Sequence, residues 1–312
     1  MLSTLRSSGD LLADRRYAYA KGAFDDGDFA AAADLARQAV ERAPAFAPAH
    51  VLLGRALAAL GQNEAAVASL GRALELEPDD PLGVRIDLAG LDALPSDTAM
   101  TYGYVRALFD DYAPRFERHL VRALDYCGPD LVADALRRAC RRQFREFRFA
   151  GAVDLGCGTG LMGQALSGVT GRLEGIDLSP RMLAQASKTK VYDALHETDA
   201  VTFLRGLPDG TCDLVLAADV VPYMAALDDL FGQTSRALTD GGLFAFTAQT
   251  HDSDGVVLGP DARYAHSESY LRDVAGQAGL RPVLVEEASI RKDRGQPVPG
   301  VVAVLEKELG RS

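Results

Sequence analysis

Two hydrophobic rhythms divide this chain. Between residues 13 and 80 the apolar positions fall at helical spacing and recur with a period of 34. Aligning Asp26-Gly27-Asp28-Phe29 with Leu60-Gly61-Gln62-Asn63 sets Ala32 on Ala66, Ala36 on Leu70, Ala39 on Ala73 and Pro44 on Pro78. From Ala150 onward short apolar runs alternate with helical stretches instead. Strands are predicted at 151–155, 172–177, a weak one ending at Asp199, Cys212 to Ala218 and Leu243 to Thr247, with helices at 160–167, 180–187 and 225–238. Such alternation predicts a parallel sheet covered by helices on both faces. The tail breaks the rule. Pro282 to Ile290 and Val298 to Leu305 read as strands joined only by Arg291 to Pro297, too short for a crossover helix, so they must pair antiparallel.

The first rhythm has the period of tetratricopeptide repeats, in which small residues sit where two helices of a hairpin touch and proline closes each unit. Gly54 falls at another position that wants a small residue. Ala20 takes its place in the first copy, and the usual tryptophan is absent from both. Pro81 to Leu91 reads as one more helix, a candidate cap. Each hairpin leaves an apolar face uncovered, and about three units are usual for stability. The face therefore needs support from the cap, from the second domain or from another copy of the chain; it also leaves capture of a protein partner open. Leu94-Pro95-Ser96-Asp97 marks a boundary, with proline breaking the chain and Ser or Asp ready to cap a new helix. The expected domains are 1–95, helical repeats, and 96–312, which opens on two or three helices (96–148) before the first strand.

Composition narrows the function classes. At 312 residues the chain holds two domains with proper cores, and 48% hydrophobic with 25% charged residues is ordinary for a soluble globular protein. A net charge of -11 argues against a nucleic-acid surface. The one basic cluster, Arg137, Arg138, Arg141, Arg142, Arg145 and Arg148, reads first as the solvated end of a helix and otherwise as a docking patch for an acidic partner or RNA. Cys127, Cys140, Cys157 and Cys212 lack metal-ligand spacing, so no metal site is expected and the compartment reads as reducing. Neither a signal segment nor a membrane span is apparent, and a cytoplasmic location is expected.

The most specific chemistry lies in Val153-Asp154-Leu155-Gly156-Cys157-Gly158-Thr159-Gly160, a short strand, an acid and three alternating glycines ahead of a helix. Glycines at 156, 158 and 160 allow turn conformations closed to other residues, and leave no Cβ where an adenosine group would lie against the chain. The acid bears on which ligand. A dinucleotide would bring its pyrophosphate to this turn, setting like charges together. S-adenosylmethionine (SAM) has no phosphate and presents a sulfonium and an ammonium, which a carboxylate attracts. Gly158-Thr159-Gly160-Leu161-Met162-Gly163 also spells the dinucleotide fingerprint in another register, so NAD stands as the alternative. Either ligand wants an acid about 20 residues on for its ribose. Leu173-Glu174-Gly175-Ile176-Asp177 supplies it.

A mostly parallel sheet ending in an antiparallel hairpin is the Rossmann-like layout of class I SAM-dependent methyltransferases. With its repeats, the chain resembles the tetratricopeptide-repeat-containing members of that superfamily along nearly its whole length. The specific marks are Leu108-Phe109-Asp110-Asp111-Tyr112-Ala113 ahead of the glycine motif, Tyr192-Asp193-Ala194-Leu195, Ala265-His266-Ser267, and Arg291 through Gly300. The resemblance implies that Asp154 and the backbone of Gly156, Gly158 and Gly160 line the methionine portion of SAM. It gives Asp177 the ribose hydroxyls, Leu178 and Met182 one adenine face, Asp199 and Ala200 the adenine edge, and Ala218 with Asp219 the floor beneath the methyl group. Tyr112, just before Pro114 in a break between helices, is where a residue of a cofactor lid is expected, which makes 96–148 a helical lid.

Methyl transfer asks little of side chains beyond alignment, and a base is needed only if the acceptor arrives protonated. Tyr223 and His251 are the candidate bases, with Asp252 and His266 behind them. Enzymes that methylate nucleobase or glutamine amines carry an Asn or Asp, two prolines and an aromatic after the fourth strand. Asp219-Val220-Val221-Pro222-Tyr223 has the wrong spacing for that slot. The expected function is a SAM-dependent methyltransferase with a small-molecule hydroxyl, carboxyl or carbon acceptor. A protein methyltransferase that recruits its target through the repeats, and a SAM-binding scaffold without turnover, are the alternatives.

Overall fold

The computed structural model describes residues 6–116, 127–293 and 295–309. The chain forms two compact units, Met1–Asp111 and Tyr112–Ser312. The first is built from helices Leu11–Asp25, Phe29–Arg42, Ala47–Ala59 and Asn63–Leu76, so the second and fourth start one repeat period apart. Local chemistry sets the starts: the Asp10 carboxylate accepts the N–H groups of Leu12 and Ala13, and Asp28 accepts that of Ala31. Ala20, Ala32, Ala36 and Ala66 are fully buried where the helices meet. At Gly54 the approach is closest, since a Cβ there would lie 2.6 Å from Leu70 Cγ. A short helix, Val84–Ala89, packs Val84 and Leu88 into one cluster with Val51, Leu70 and Ala73, and so covers the second hairpin as a cap should. It is shorter than expected because Gly83 enters it in a left-handed conformation and Gly90 ends it.

Helix Tyr102–Tyr112 stops just ahead of Pro114, and helix Gly128–Arg142 precedes the sheet. The part of the expected lid at 117–126 lies outside the described residues. The strands are β1 (Phe149–Leu155), β2 (Thr170–Asp177), β3 (Ala194–Glu197), β4 (Cys212–Ala217), β5 (Leu238–Gln249), β6 (Val256–Leu258), β7 (Tyr264–His266), β8 (Leu280–Glu287), β9 (Lys292–Asp293), β10 (Gln296–Pro297) and β11 (Gly300–Lys307). Seven of them form one sheet in the order β3-β2-β1-β4-β5-β11-β8. The first five are parallel; β11 runs antiparallel to both β5 and β8, as the short connection required. One apolar cluster holds Val153, Leu155, Val215 and Phe246, and a second holds Ala152, Leu214, Leu216 and Ala245. Alternate residues of the central strands thus feed cores on opposite faces, which is why those strands read as short apolar runs rather than as a polar–apolar alternation.

Four differences from the predicted elements have physical causes. β5 begins at Leu238 rather than Leu243, because Asp240-Gly241-Gly242 stays within the strand, with Gly241 at φ +73°, instead of forming a separate turn. β3 stops at Glu197, and Asp199 belongs to the next helix, Ala200–Gly206, as its N-cap. The β6–β7 ladder was not foreseen; its strands have three residues each, too few for a period-two signal. Helix Glu268–Gln277 was missed although Ser267, which caps it, is a legible start signal. The basic cluster is locally tied: Arg137 pairs with Asp134, Arg138 with Glu286, and Arg145 donates to the Gly241 carbonyl at 2.9 Å. No helix among the described residues is long and apolar enough to cross a membrane.

Candidate functional site

The glycine motif folds into a bend directly after β1. Gly156, Gly158 and Gly160 take φ values of +62°, +55° and +94°, all in the left-handed region. The Cys157 N–H donates to the Ile176 carbonyl at 2.8 Å, which fastens the bend to β2. A Cβ on Gly156 would come within 2.5 Å of Val220 Cγ2, so this glycine lets the bend press against the turn that follows β4. A Cβ on Gly158 would meet nothing nearer than Phe116 Cζ and the Gly156 carbonyl oxygen, each at 4.0 Å. One side of the bend is closed by protein; the other is open.

Asp177, at the end of β2, organises this open side. Its Oδ2 accepts the Gly158 N–H at 2.9 Å and its Oδ1 accepts the Ser179 N–H at 2.8 Å. Ser179 in turn caps helix Pro180–Thr189 by accepting the Met182 N–H. The carboxylate is 8% exposed. Leu178 beside it is half-buried, whereas Met182 has no exposed surface and in this structure presents nothing to an adenine face. Asp199 accepts the Thr202 N–H at 2.9 Å, and Ala200 is half-buried. The structure thus gives Asp199 the capping role alongside its position at the edge of β3.

Asp154 departs from the expectation that its charge faces the ligand. It is 1% exposed, and its Oδ2 accepts the Tyr192 hydroxyl at 2.6 Å. The Tyr192 hydroxyl also accepts the Gly163 N–H at 3.3 Å, and a Cβ on Gly163 or Gly175 would collide with its ring. Burial pushes the Asp154 carboxyl up to about 7; the Tyr192 bond pulls it back, and the charge on Asp177 raises it. Near neutrality the acid is therefore only partly ionised. Tyr192 escaped sequence reasoning as a site residue because nothing in its spacing links it to Asp154.

The end of β4 carries a second cluster. Ala218 is half-buried, and Asp219 sits at φ +59°, unusual for a residue with a side chain, with its N–H donated to Thr247 Oγ1 at 2.9 Å. The turn Val221–Tyr223 follows. The Tyr223 hydroxyl accepts two bonds from Arg263, from Nε at 3.0 Å and Nη2 at 2.6 Å, while the same guanidinium lies 5.3 Å from the ring centroid. Arg291 donates to Asp261 at 2.9 Å and to Gln249 Oε1 at 3.3 Å. Tyr112 joins the cluster electrically: burial raises its phenol, and Arg263, Arg115 and Arg291 pull it down. Its ring also meets Phe116 edge-on at 5.2 Å, and Phe116 borders Gly158. The glycine bend, Phe116, Tyr112, Arg263 and Tyr223 are thus linked by contact or by charge at the carboxyl ends of the parallel strands, where open α/β sheets bind ligands.

The two candidate bases part company. Burial pushes the Tyr223 phenol up to about 12, against the pull of Arg263, so it is neutral near pH 7. His251 has both ring nitrogens engaged: Nδ1 accepts the Ser253 hydroxyl at 2.6 Å, and Nε2 donates to the Gly255 carbonyl at 3.1 Å. With Asp252 it lines a cleft together with Asp254, Glu287 and Ser289, which includes neither Tyr112 nor Tyr223. His266 is fully buried, donates from Nε2 to the Met224 carbonyl at 2.9 Å, and is pushed down to about 4 by burial. Arg263 was missed although Ala265-His266-Ser267 in the same stretch was singled out, because nothing local links it to Tyr223, 40 positions away.

Two features suit the bend to an adenosyl ligand. The side of Gly158 that a Cβ would fill is open, and the buried Oγ1 of Thr159, within the bend, has no hydrogen-bond partner among the described residues.

The family described as a methyltransferase domain matches residues 153–246, which run from β1 into β5, and a tetratricopeptide-repeat family matches residues 23–85. A malonyl-acyl-carrier-protein O-methyltransferase from Enterobacter lignolyticus is 30% identical over 151 residues, 48% of this chain and 55% of that protein. A ubiquinone biosynthesis O-methyltransferase from Burkholderia orbicola is 24% identical over 99 residues, 31% of this chain and 43% of that one. The chain thus spans about half the length of these curated relatives. Among solved structures, a Burkholderia thailandensis 1,6-didemethyltoxoflavin-N1-methyltransferase, with S-adenosylhomocysteine bound, matches with a TM-score of 0.50 at 15% identity, covering 66% of this chain and 89% of that one. Residues 23–85 thus match a tetratricopeptide-repeat family and residues 153–246 a methyltransferase-domain family, and the sheet shares its fold with the didemethyltoxoflavin enzyme.

Proposed function

We propose that this protein transfers the methyl group of SAM to a small-molecule acceptor held at the end of β4. The single observation that carries the reading is the Asp177 carboxylate clasping the Gly158 N–H of an open, left-handed glycine bend, with the Tyr112, Tyr223 and Arg263 cluster beyond it. Bound SAM supplies a methyl carbon on a positively charged sulfur, which is a good leaving group. Asp177 holds the ribose hydroxyls. Leu178 covers the adenine, Asp199 and Ala200 stand at its edge, and the backbone of Gly156, Gly158 and Gly160 carries the methionine end.

The remaining task is alignment of acceptor, methyl and sulfur, an effect worth up to roughly 7 to 11 kcal/mol. Ala218 and Asp219 floor that region, and Tyr112 with Phe116 excludes water from it. The names of the two O-methyltransferase relatives support transfer to oxygen. The test is calorimetric titration of the full chain with SAM and with NAD, followed by detection of S-adenosylhomocysteine against a mixture of hydroxyl, carboxyl and carbon acceptors. Uptake of SAM with acceptor-dependent product supports the proposal. Uptake of NAD instead, or SAM binding without turnover on any small acceptor, refutes it.

A further inference from the structure

Arg263 is a half-buried guanidinium that makes no ion pair among the described residues. Its only hydrogen bonds go to one phenol, Tyr223, and its Nη1 donors have no partner in the described structure. Arg291 nearby is satisfied by Asp261 and Gln249. Asp219 and Asp261 act on Arg263 only through space. Removing a cation from water without a paired anion is costly, and a guanidinium fork with free donors matches a planar carboxylate. A second fact points the same way. Of the two candidate bases, Tyr223 is a neutral phenol and His251 is turned into another cleft, so neither stands ready for a protonated nucleophile.

Resting on the methyl-transfer reading above, we infer that the acceptor is a small carboxylic acid bound as its monoanion, with Arg263 as the residue that specifies it. The fork holds one carboxylate oxygen and leaves the other to react. That oxygen attacks the methyl carbon, the carbon–sulfur bond breaks, and its electron pair returns to sulfur. One positive and one negative charge disappear together, giving a neutral thioether and a neutral methyl ester. No proton moves, so the step needs neither Tyr223 nor His251 as a base.

The test uses the full chain with SAM, a panel of aliphatic and aryl carboxylates, and the matching alcohols and primary amides. Wild type should form S-adenosylhomocysteine with acids only, and the labelled methyl should be released by alkali as expected of an ester. With SAM saturating, kcat should stay flat from about pH 6 to about pH 9, because the acceptor is already ionised. Arg263→Met should lower kcat/KM for the best acid by about 10- to 150-fold, the loss expected for hydrogen bonds to a charged group. Its SAM affinity should stay within about twofold. Arg263→Lys, a point charge without the fork, should fall between the two. If Arg263→Met melts early, Arg263→Gln serves, and binding of benzoate and octanoate to the S-adenosylhomocysteine complex gives a readout independent of turnover. Turnover on alcohols or amides instead of acids, unchanged kcat/KM in the folded Arg263 variants, or SAM binding with no carboxylate of the panel bound or methylated would each overturn the inference while leaving the cofactor reading intact. Failure to bind SAM would overturn the reading beneath it.

Discussion

Binding of SAM should expel a proton from Asp154. In the free protein burial holds this carboxyl at about 7, with the Tyr192 hydroxyl lowering it and the charge on Asp177 raising it. A group titrating there is roughly three-quarters protonated at pH 6.5 and roughly one-tenth protonated at pH 8. SAM brings a sulfonium and an ammonium to the bend that Asp154 introduces, and a cation placed beside a carboxyl commonly lowers its pKa by about 1 to 3. The carboxyl should therefore be mostly ionised in the complex. About 0.5 to 0.75 proton should leave per SAM bound at pH 6.5, and about 0.1 at pH 8. Calorimetric titrations in buffers of different ionisation enthalpy measure this directly, since the slope of observed heat against that enthalpy is the number of protons exchanged. Asp154→Asn should abolish the slope. Tyr192→Phe removes the bond that favours the carboxylate, so its release should persist to higher pH. A heat independent of buffer for the wild type at pH 6.5 would refute the electrostatic coupling between Asp154 and the cofactor.

Two further outcomes test other parts of the structure. Gly156→Ala combines a left-handed φ of +62° with a Cβ 2.5 Å from Val220 Cγ2, and should cost about 1 to 3 kcal/mol of stability in urea melts. Gly158→Ala meets no atom nearer than 4.0 Å, so it should destabilise less than Gly156→Ala yet weaken SAM binding more, because its methyl enters the open side of the bend; the reverse ranking contradicts the site. His266, pushed down to about 4 in the folded state, resists protonation that the unfolded chain accepts below about pH 6.5. Its contribution is fully present above that pH and is lost as pH falls toward 4, by at most about 3 kcal/mol. His266→Gln should flatten the fall in unfolding free energy between pH 7 and pH 5, and an unchanged slope rules His266 out as its source.

What was legible in the chain followed from local rules. The period of 34 fixes the spacing of helices Phe29–Arg42 and Asn63–Leu76 because each alaline-rich contact recurs in every hairpin, and Gly54 marks the tightest of those contacts. The parallel order could be read because β1 and β4, buried over most of their length, carry short apolar runs between helical stretches, and the tail hairpin because a short connection forbids a crossover. At the site, the glycines and Asp177 are adjacent in sequence to the strands that carry them. Tyr192 and Arg263 are not. Tyr192 reaches Asp154 across 38 positions, and Arg263 reaches Tyr223 across 40. Contacts of that kind depend on how strands lie side by side, which no local pattern encodes.

Charge ties the two ends of the site together more firmly than shape does. The acid before the glycine bend first served to set SAM apart from a phosphate-bearing cofactor, yet its burial leaves it near neutral until a cation arrives. Asp154 therefore acts as a conditional charge. At the other end Arg263 is the reverse case, a fixed cation whose partner is supplied by the acceptor. Before transfer the sulfonium and the acceptor carboxylate attract one another as well as their protein partners. Afterward neither of those two charges exists: only the ammonium of the cofactor product remains to stabilise the Asp154 anion, and the ester no longer answers Arg263, which falls back on the Tyr223 hydroxyl. The same bond change that makes the product thus removes the attraction that held the substrates, so release should be favoured at both ends without any movement of the sheet.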